Sequence, residues 1–238
     1  MSRCIVVVPT YNEAENLPLL VPAVLAQDER IEMLIVDDDS PDGTGKCADD
    51  LALANPRVHV LHRPQKQGLG PAYRAGIAHA LELGADCVAQ MDADFSHPPA
   101  MLTKMLGEIE RHDVVSGSRY LEGITVVNWP IERILISYFG NAYVRRVTRL
   151  RVTDTTGGFR CMRRELIERV GIDHVRANGY AFQIELNYRI AHAGARVMEI
   201  PFFFTDRRRG TSKMSWRIGF EAIWIAMRLR VADALGLL

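Results

Sequence analysis

The fold of this chain is decided by residues 87–94, CVAQMDAD, a short apolar run that ends in two carboxylates separated by one residue. Such a run is typical of a buried strand, in which alternate side chains point to the same side. Asp92 and Asp94 can therefore converge on one hard divalent cation, Mg²⁺ or Mn²⁺. A cation held by few carboxylates keeps open positions for the phosphates of a nucleotide-linked leaving group. For an isolated Asp-x-Asp pair, a solvated turn is the alternative.

Other apolar segments predict further strands, and helical patterns lie between them. The predicted strands cover residues 4–8, 33–37, 58–62, 87–91 and 114–118, and the predicted helices cover residues 13–26, 44–54, 71–83 and 98–110. Asn12, followed three residues later by Glu15, resembles a capping box for the first helix. This alternation is typical of an α/β fold, with helices on both faces of a mostly parallel, Rossmann-like sheet. A further helical pattern begins near Pro130.

The composition of the chain bounds its size class and its partners. With 238 residues, 48% of them hydrophobic, the chain can bury the core of one α/β domain. Because 29 basic residues balance 29 acidic ones, no overall field attracts nucleic acid, and we expect no nucleic-acid partner. We place a catalytic domain at residues 1–215 and a C-terminal amphipathic helix at residues 216–238.

The sequence carries no evident targeting or membrane-spanning segment. The N-terminal apolar run is too short for a signal peptide and is soon followed by Pro9. Charges interrupt every apolar run before it reaches ~18 residues, so we expect no transmembrane helix. The cysteines lie far apart without metal-ligand spacing, which predicts reduced packing residues of a cytoplasmic protein. They are Cys4, Cys47, Cys87 and Cys161.

Polar side chains follow each predicted strand, at the edge of the sheet where ligands bind in open parallel folds. They lie within residues 9–13, 37–40, 63–70, 92–94 and 117–119. This rim holds carboxylates, an aromatic ring and several cations. A mononucleotide requires such groups: acceptors for its base and ribose, a ring face for stacking, and a metal with Arg or Lys for its diphosphate.

Two glycine-rich segments resemble phosphate-binding loops but lack required residues. In residues 43–46, GTGK, the P-loop pattern has Ser40 in place of its first glycine and Cys47 in place of its Ser or Thr. Residues 68–70, GLG, open a helix but lack the third glycine of a dinucleotide fingerprint. We therefore exclude a P-loop NTPase and an NAD enzyme.

The motifs, taken in order, resemble those of the dolichol-phosphate mannose synthases, which are inverting GT-A glycosyltransferases of family 2. The resemblance runs from residue 5 to about residue 215. It rests on residues 9–13 (PTYNE), 36–44 (VDDDSPDGT), 68–70 (GLG), 91–94 (MDAD), 117–120 (GSRY), 154–160 (DTTGGFR) and 206–213 (DRRRGTSK).

This resemblance implies transfer of mannose from GDP-mannose to a polyprenyl or dolichyl monophosphate, with GDP as the leaving group. It implies that Asp92, Asp94 and Ser96 hold Mg²⁺ or Mn²⁺, and that Arg207 and Lys213 close over the donor phosphates. Catalysis would depend on Asp92, Asp94, Arg119 and Arg207. The donor nucleotide would contact Pro9, Tyr11, Glu13, Val36, Asp38, Asp92, Ala93, Asp94, Arg207 and Lys213.

The acceptor phosphate is expected to contact Arg119, Arg133 and Ser137. Arg133 and Ser137 are four residues apart and share one helical face, although an ordinary ion pair with Glu132 is the alternative. A phosphate monoester is anionic near neutral pH, so it can attack the sugar carbon without a strong general base. Direct displacement inverts the anomeric centre and gives a β-linked product. Asp38 and Asp154 are candidates for orienting the sugar.

The C-terminal segment has apolar residues at helical spacing, at positions 216, 220, 223, 227, 231, 234 and 238. A helix docked on the core fits this pattern. So does an interfacial helix on the cytoplasmic face of a membrane, or one that docks a small membrane-embedded partner subunit. Two alternatives to the leading function stay open: the same chemistry with UDP-glucose or another sugar nucleotide, and a non-catalytic module that binds sugar nucleotides.

Overall fold

The apolar runs of the N-terminal half form strands, and the segments between them form helices. A computed structural model describes residues 3–205 and 216–236, with the backbone alone described for residues 216–220. The elements of this half are β1 Cys4–Thr10, α1 Leu17–Leu25, β2 Ile31–Asp37, α2 Thr44–Ala54, β3 Val58–His62, α3 Leu69–Glu82, β4 Cys87–Gln90, α4 Met101–Glu108 and β5 Val114–Ser118.

The second half adds shorter strands and longer helices to this frame. Its elements are β6 Val126–Val127, α5 Ile131–Thr148, β7 Arg160–Arg163, α6 Arg164–Val170, a 3₁₀ turn Ile172–His174, α7 Gly179–His192, β8 Val197–Pro201, β9 Phe204–Thr205 and α8 Trp216–Ala234. The described strands form a seven-stranded sheet in the order β3-β2-β1-β4-β7-β5-β8, while β6 pairs with β9 separately. Only β7 runs antiparallel within the large sheet as described. The predicted mostly parallel α/β sheet is confirmed.

Helices cover both faces of the sheet, which explains why its strands are apolar on both sides. On one face, Val6 and Ala89 pack with α1 and α4. On the other face, Val7 and Val88 pack with α3 and α7. Gly76 lets α3 approach closely, because a Cβ there would lie 2.5 Å from Val7 Cγ1.

The predicted capping box at Asn12 and Glu15 is wrong, because α1 begins only at Leu17. Asn12 adopts a left-handed backbone conformation with φ of 62°, and its backbone amide donates to the Ser40 hydroxyl. The loop after β1 is thus tied to the loop after β2 instead of starting a helix. Pro18, in the first turn, suits the later start because its missing N–H would have no partner there.

Helix α8 has one buried face and one exposed apolar face. Ile225 and Leu229 are buried against α5 and α7. The apolar positions that the sequence spacing groups on one face (216, 220, 223, 227, 231, 234 and 238) are instead exposed where their side chains are described. Met227 is 51% exposed and Val231 is 55% exposed. Within residues 3–205 and 216–236, no helix combines the length and the apolar character needed to cross a membrane.

Candidate active site

The two carboxylates that follow β4 line one cleft at the carboxyl end of the sheet. Asp92 accepts a hydrogen bond of 3.0 Å from the hydroxyl of Tyr73, a residue of α3. Asp94 accepts a hydrogen bond of 3.0 Å from the amide of Ser96. The structure therefore brings Asp92 and Asp94 to one space, as their spacing predicts.

His97 is buried beside Asp92 and holds the backbone of that residue. Its Nδ1 accepts a hydrogen bond of 3.0 Å from the Asp92 amide, and its ring stacks on Phe159 with centroids 4.7 Å apart. Burial lowers the pKa of His97, although Asp92 and Asp94 act in the opposite direction. The imidazole is therefore neutral at pH 7, with its proton on Nε2.

The oxygen atoms near Asp94 fit a hard divalent cation. Two carboxylates are ligands that Mg²⁺ and Mn²⁺ accept readily. The Ser96 hydroxyl is buried and has no hydrogen-bond partner among the described residues, and burying such a group costs about 1–3 kcal/mol. Its oxygen is therefore available to a ligand, although Ser96 is not among the residues that line the cleft.

Five of the residues predicted to hold the donor nucleotide lie at two adjacent strand ends, namely Pro9, Tyr11, Glu13, Val36 and Asp38. Pro9 of β1 and Val36 of β2 are partners in the parallel register. The loops that follow are joined, since the amide of Glu13 donates to Thr44 Oγ1 over 2.9 Å. Tyr11 lies on this rim, and the Lys66 ammonium is 3.4 Å from the centroid of its ring.

Asp38 is buried at the same rim and is bound by a cation. Its Oδ1 is 2.5 Å from Arg63 Nη1, and Arg63 also donates to Gln67 Oε1. Burial raises the pKa of Asp38, while Arg63 opposes this shift. Arg63 thus fixes the Asp38 carboxylate at this rim.

Arg119 enters the cleft at the end of β5, and its charge is balanced by Asp154. Arg119 Nε and Nη2 lie 2.6 Å and 2.8 Å from the two carboxylate oxygens of Asp154. Both side chains are buried. Burial opposes ionisation of Asp154, but the charge and hydrogen bonds of Arg119 outweigh it and lower the pKa of Asp154. Asp154 itself does not line the cleft.

Arg133 lines the cleft from the first turn of α5. Its guanidinium carbon lies 3.7 Å from the centroid of the Trp129 ring, and this stacking orients the cation. Arg119, Arg133, Asp92 and Asp94 all line the same cleft. The space thus combines two carboxylates with two guanidinium groups.

Ser137 lies one turn after Arg133 but is already bound within the protein. Its hydroxyl is 2.6 Å from the Tyr120 hydroxyl, and it does not line the cleft. The predicted Arg119–Arg133–Ser137 trio is therefore brought together only in part. Arg207 and Lys213 lie outside the described residues.

A larger cavity of about 770 Å³ lies between α7, β8 and residues 149–152. It lacks the grouped acids of the Asp92 cleft. Its one described carboxylate, Glu199, accepts hydrogen bonds from the amides of Thr153 and Asp154. The smaller cleft, with its grouped charges, is therefore the candidate active site.

Comparison with known proteins agrees with this geometry. A profile of glycosyl transferase family 2 matches residues 5–171. The chain belongs to glycosyl transferase family 2. It is 46% identical over 216 residues to the polyprenol monophosphomannose synthase of Mycolicibacterium smegmatis, covering 90% of this chain and 82% of that protein. It is 43% identical over 221 residues to the undecaprenyl-phosphate mannosyltransferase of Micrococcus luteus, covering 93% and 91%.

The same fold occurs in a solved mannosyltransferase of Pyrobaculum calidifontis in complex with GDP-Man and Mn²⁺. That structure has a TM-score of 0.61 and 21% identity, over 95% of this chain and 64% of the other. The family resemblance drawn from the motifs is confirmed, as is the GT-A-like architecture.

In this glycosyltransferase, the sequence pattern does not predict several residues that line the cleft or hold its carboxylates. Tyr73, far from Asp92 in the sequence, and His97, five residues after it, both hydrogen-bond Asp92. Tyr180 of α7 also lines the cleft. The pair of prolines after His97 could have drawn attention to that position. Nothing in the spacing points to Tyr73, which lies 19 residues before Asp92.

Proposed function

We propose that this protein transfers mannose from GDP-mannose to a polyprenyl or dolichyl monophosphate, giving a β-linked lipid-phosphate mannose and GDP. The cleft carries this proposal, because Asp92 and Asp94 lie in one space with Arg119 and Arg133. A donor diphosphate bound through a cation and an anionic acceptor require opposite charges on the two sides of the reacting carbon. The names of the relatives from Mycolicibacterium and Micrococcus support the same substrates.

The acceptor phosphate is held by Arg133 and by Arg119 through Nη1, the one guanidinium nitrogen that Asp154 does not bind. Fixed guanidinium groups suit phosphate oxygens because they donate in a planar fork. The acceptor oxygen is already anionic near neutral pH and attacks the anomeric carbon directly. The protein therefore supplies orientation and charge stabilisation without a general base.

The donor lies along the rim formed by the loops after β1 and β2. Tyr11 contacts the base, Asp38 and Glu13 accept from base or ribose, and Pro9 and Val36 form the floor. Ala93 lies between the two carboxylates beside the diphosphate. Arg207 and Lys213 are proposed to neutralise the departing diphosphate.

Mg²⁺ or Mn²⁺ is the proposed cofactor, bound by Asp92 and Asp94 with Ser96 as a further ligand. When bound, such an ion stabilises negative charge on the leaving diphosphate. Tyr73 holds one oxygen of Asp92 by its hydrogen bond. The remaining carboxylate oxygens are thereby oriented before any ligand arrives.

A membrane surface is the proposed location of the reaction, on its cytoplasmic face. Ile131 and Leu135 share the outer face of α5, turned away from Arg133, and are 70% and 48% exposed. This face offers apolar surface to a membrane beside the cleft that Arg133 lines. On α8, Trp224 is 62% exposed, and Arg228 lies over its ring, an arrangement suited to a lipid headgroup layer. A small membrane-embedded partner subunit could bind the same surface.

The decisive experiment measures transfer of radiolabelled sugar into an extractable polyprenyl phosphate. GDP-mannose should give labelled lipid that is sensitive to mild acid, and UDP-glucose should not. Labelling from UDP-glucose alone would show that UDP-glucose, and not GDP-mannose, is the donor. If the folded protein supplied with metal labels no lipid, a non-catalytic module that binds sugar nucleotides would be favoured.

Arg133→Ala should raise the KM for lipid phosphate while leaving GDP-mannose affinity, measured by calorimetry, nearly unchanged. Glu132→Ala, the neighbouring exposed position, is the matched control.

A further inference from the structure

Three of the four cysteines come together, although they lie far apart in the sequence. Cys4 begins β1, Cys87 begins β4, and Cys161 lies in β7, and these are neighbouring strands of the sheet. All three are buried on the same face, and their sulfur atoms lie within 4.8 Å of one another. Each is a free cysteine. The sequence-based prediction of isolated packing residues is therefore incomplete.

The size of this cluster fits one metal ion bound by three sulfurs. A metal–thiolate distance of about 2.3 Å places the sulfurs of a trigonal site about 4 Å apart. The observed triangle would contract by at most about 0.8 Å, which small side-chain rotations allow. Among the described residues, no histidine, carboxylate or fourth cysteine joins the group. Three soft ligands without a fourth favour Cu⁺ over Zn²⁺, which is usually tetrahedral in proteins.

One residue of the cluster, Cys87, lines a surface cleft of about 340 Å³. Two arginines, Arg30 and Arg163, and three carboxylates, Asp86, Glu110 and Glu165, also line this cleft. It lies at the beginning of β4, whereas Asp92 and Asp94 follow the end of that strand. Five residues of extended chain separate Cys87 from Asp92, which corresponds to roughly 17 Å. A soft cation at this end would therefore not compete with a hard cation at the carboxylates.

We propose that Cys4, Cys87 and Cys161 bind one soft cation with the chemistry of Cu⁺ through their three sulfurs. As the three sulfur–metal bonds form, the three thiol protons pass to solvent, and no electron is transferred.

The test titrates the reduced, full-length protein with Cu⁺ under anaerobic conditions against a chromophoric Cu⁺ chelator. One equivalent should bind, and Cys87→Ala and Cys161→Ala should each weaken binding at least tenfold. Cys47→Ala is the matched control, because Cys47 lies outside the cluster, and it should bind as the wild type does. Circular dichroism checks that each variant is folded. Unchanged binding in folded Cys87→Ala and Cys161→Ala, or its loss in Cys47→Ala, would overturn the proposal.

A second measurement uses the wild-type protein and does not depend on folding of the variants. X-ray absorption of the Cu⁺-loaded protein should show three sulfur neighbours at about 2.3 Å. Two neighbours, or any nitrogen neighbour, would contradict the trithiolate site. A titration with Zn²⁺ tests the choice of metal. If the protein binds one equivalent of Zn²⁺ and Cu⁺ does not displace it, the assignment to a Cu⁺-like cation is wrong.

Discussion

At the residue scale, Asp94 can be changed in charge without disturbing its surroundings. One oxygen accepts the Ser96 amide, and the carbonyl oxygen of an asparagine can accept it equally well. Asp94→Asn should therefore keep the fold but present an amide to the cation, reducing transfer by roughly 100-fold. Transfer measured across a Mn²⁺ titration checks this, with Asp50→Asn on the surface as control. Wild-type turnover of Asp94→Asn at ordinary metal concentrations would exclude Asp94 as a ligand.

The Arg119–Asp154 pair should matter for stability as well as for the site. Because both side chains are buried, Asp154→Asn leaves an uncompensated cation in the interior, which costs about 3–5 kcal/mol. Urea unfolding measures this loss. Asp50→Asn breaks the exposed ion pair with Lys46 and should leave the unfolding midpoint unchanged. A loss for Asp154→Asn no larger than that of the control would show that Arg119 is compensated elsewhere.

His97 should make stability depend on pH. Its pKa is lowered by burial, so the unfolded chain takes up a proton near pH 6.5 while the folded protein does not. The free energy of unfolding should therefore fall as the pH drops below about 6.5, until the pKa of the folded state is reached. His97→Asn, which keeps an acceptor for the Asp92 amide, should lose less stability between pH 7.5 and 5 than the wild type.

At the element scale, the sequence predicts strands and helices well where a segment has one dominant pattern. The predicted bounds of β3, β5 and α2 agree with the structure residue for residue. Strand β7 was not predicted, because Arg160 and Arg163 bound its four residues and break any apolar run. Its place between β4 and β5 depends on long-range pairing, which local propensity does not encode.

In the candidate site too, the sequence predicts features that follow from a local pattern but not those that depend on long-range contacts. Asp92 and Asp94 could be grouped from the alternation of side chains along one strand, which is a local rule. The ion pair between Arg119 and Asp154 could not be predicted, because it joins segments 35 residues apart. The cysteine cluster could not be predicted for the same reason, because the spacing of cysteines along the chain does not reveal which strands are neighbours in the sheet.

Helix α8 allows its two faces to be tested separately. Leu229 is buried against α5 and α7, so Leu229→Ala should cost about 2–5 kcal/mol on urea unfolding. Met227 and Val231 are exposed, so Met227→Ser combined with Val231→Ser should leave stability nearly unchanged. The same double variant should float less with liposomes containing anionic lipid, because it removes apolar surface from the proposed contact. Undiminished flotation of this variant would exclude the exposed face of α8 as the membrane contact.

At the scale of the whole molecule, the donor and acceptor halves are built differently. The donor rim rests on β1 and β2, the two strands next to the edge strand β3, and is tied by hydrogen bonds such as that from the Asn12 backbone amide to Ser40. The acceptor side depends on α5, which packs against α8. The two halves should therefore respond differently when α8 is removed.

Truncation after Ser215 tests this division. It removes the buried side chains of Ile225 and Leu229, worth roughly 3–6 kcal/mol together, and the hydrogen bond from Tyr188 to Asp233. The unfolding temperature should fall by roughly 10 °C, measured by scanning calorimetry. Below that transition the shortened protein should still bind GDP-mannose, because the donor rim makes its contacts within the first half of the chain, whereas transfer to a long-chain acceptor should be lost. An unchanged unfolding temperature would mean that α8 contributes nothing to the core, and loss of donor binding by the folded truncated protein would mean that the two halves are coupled through α8.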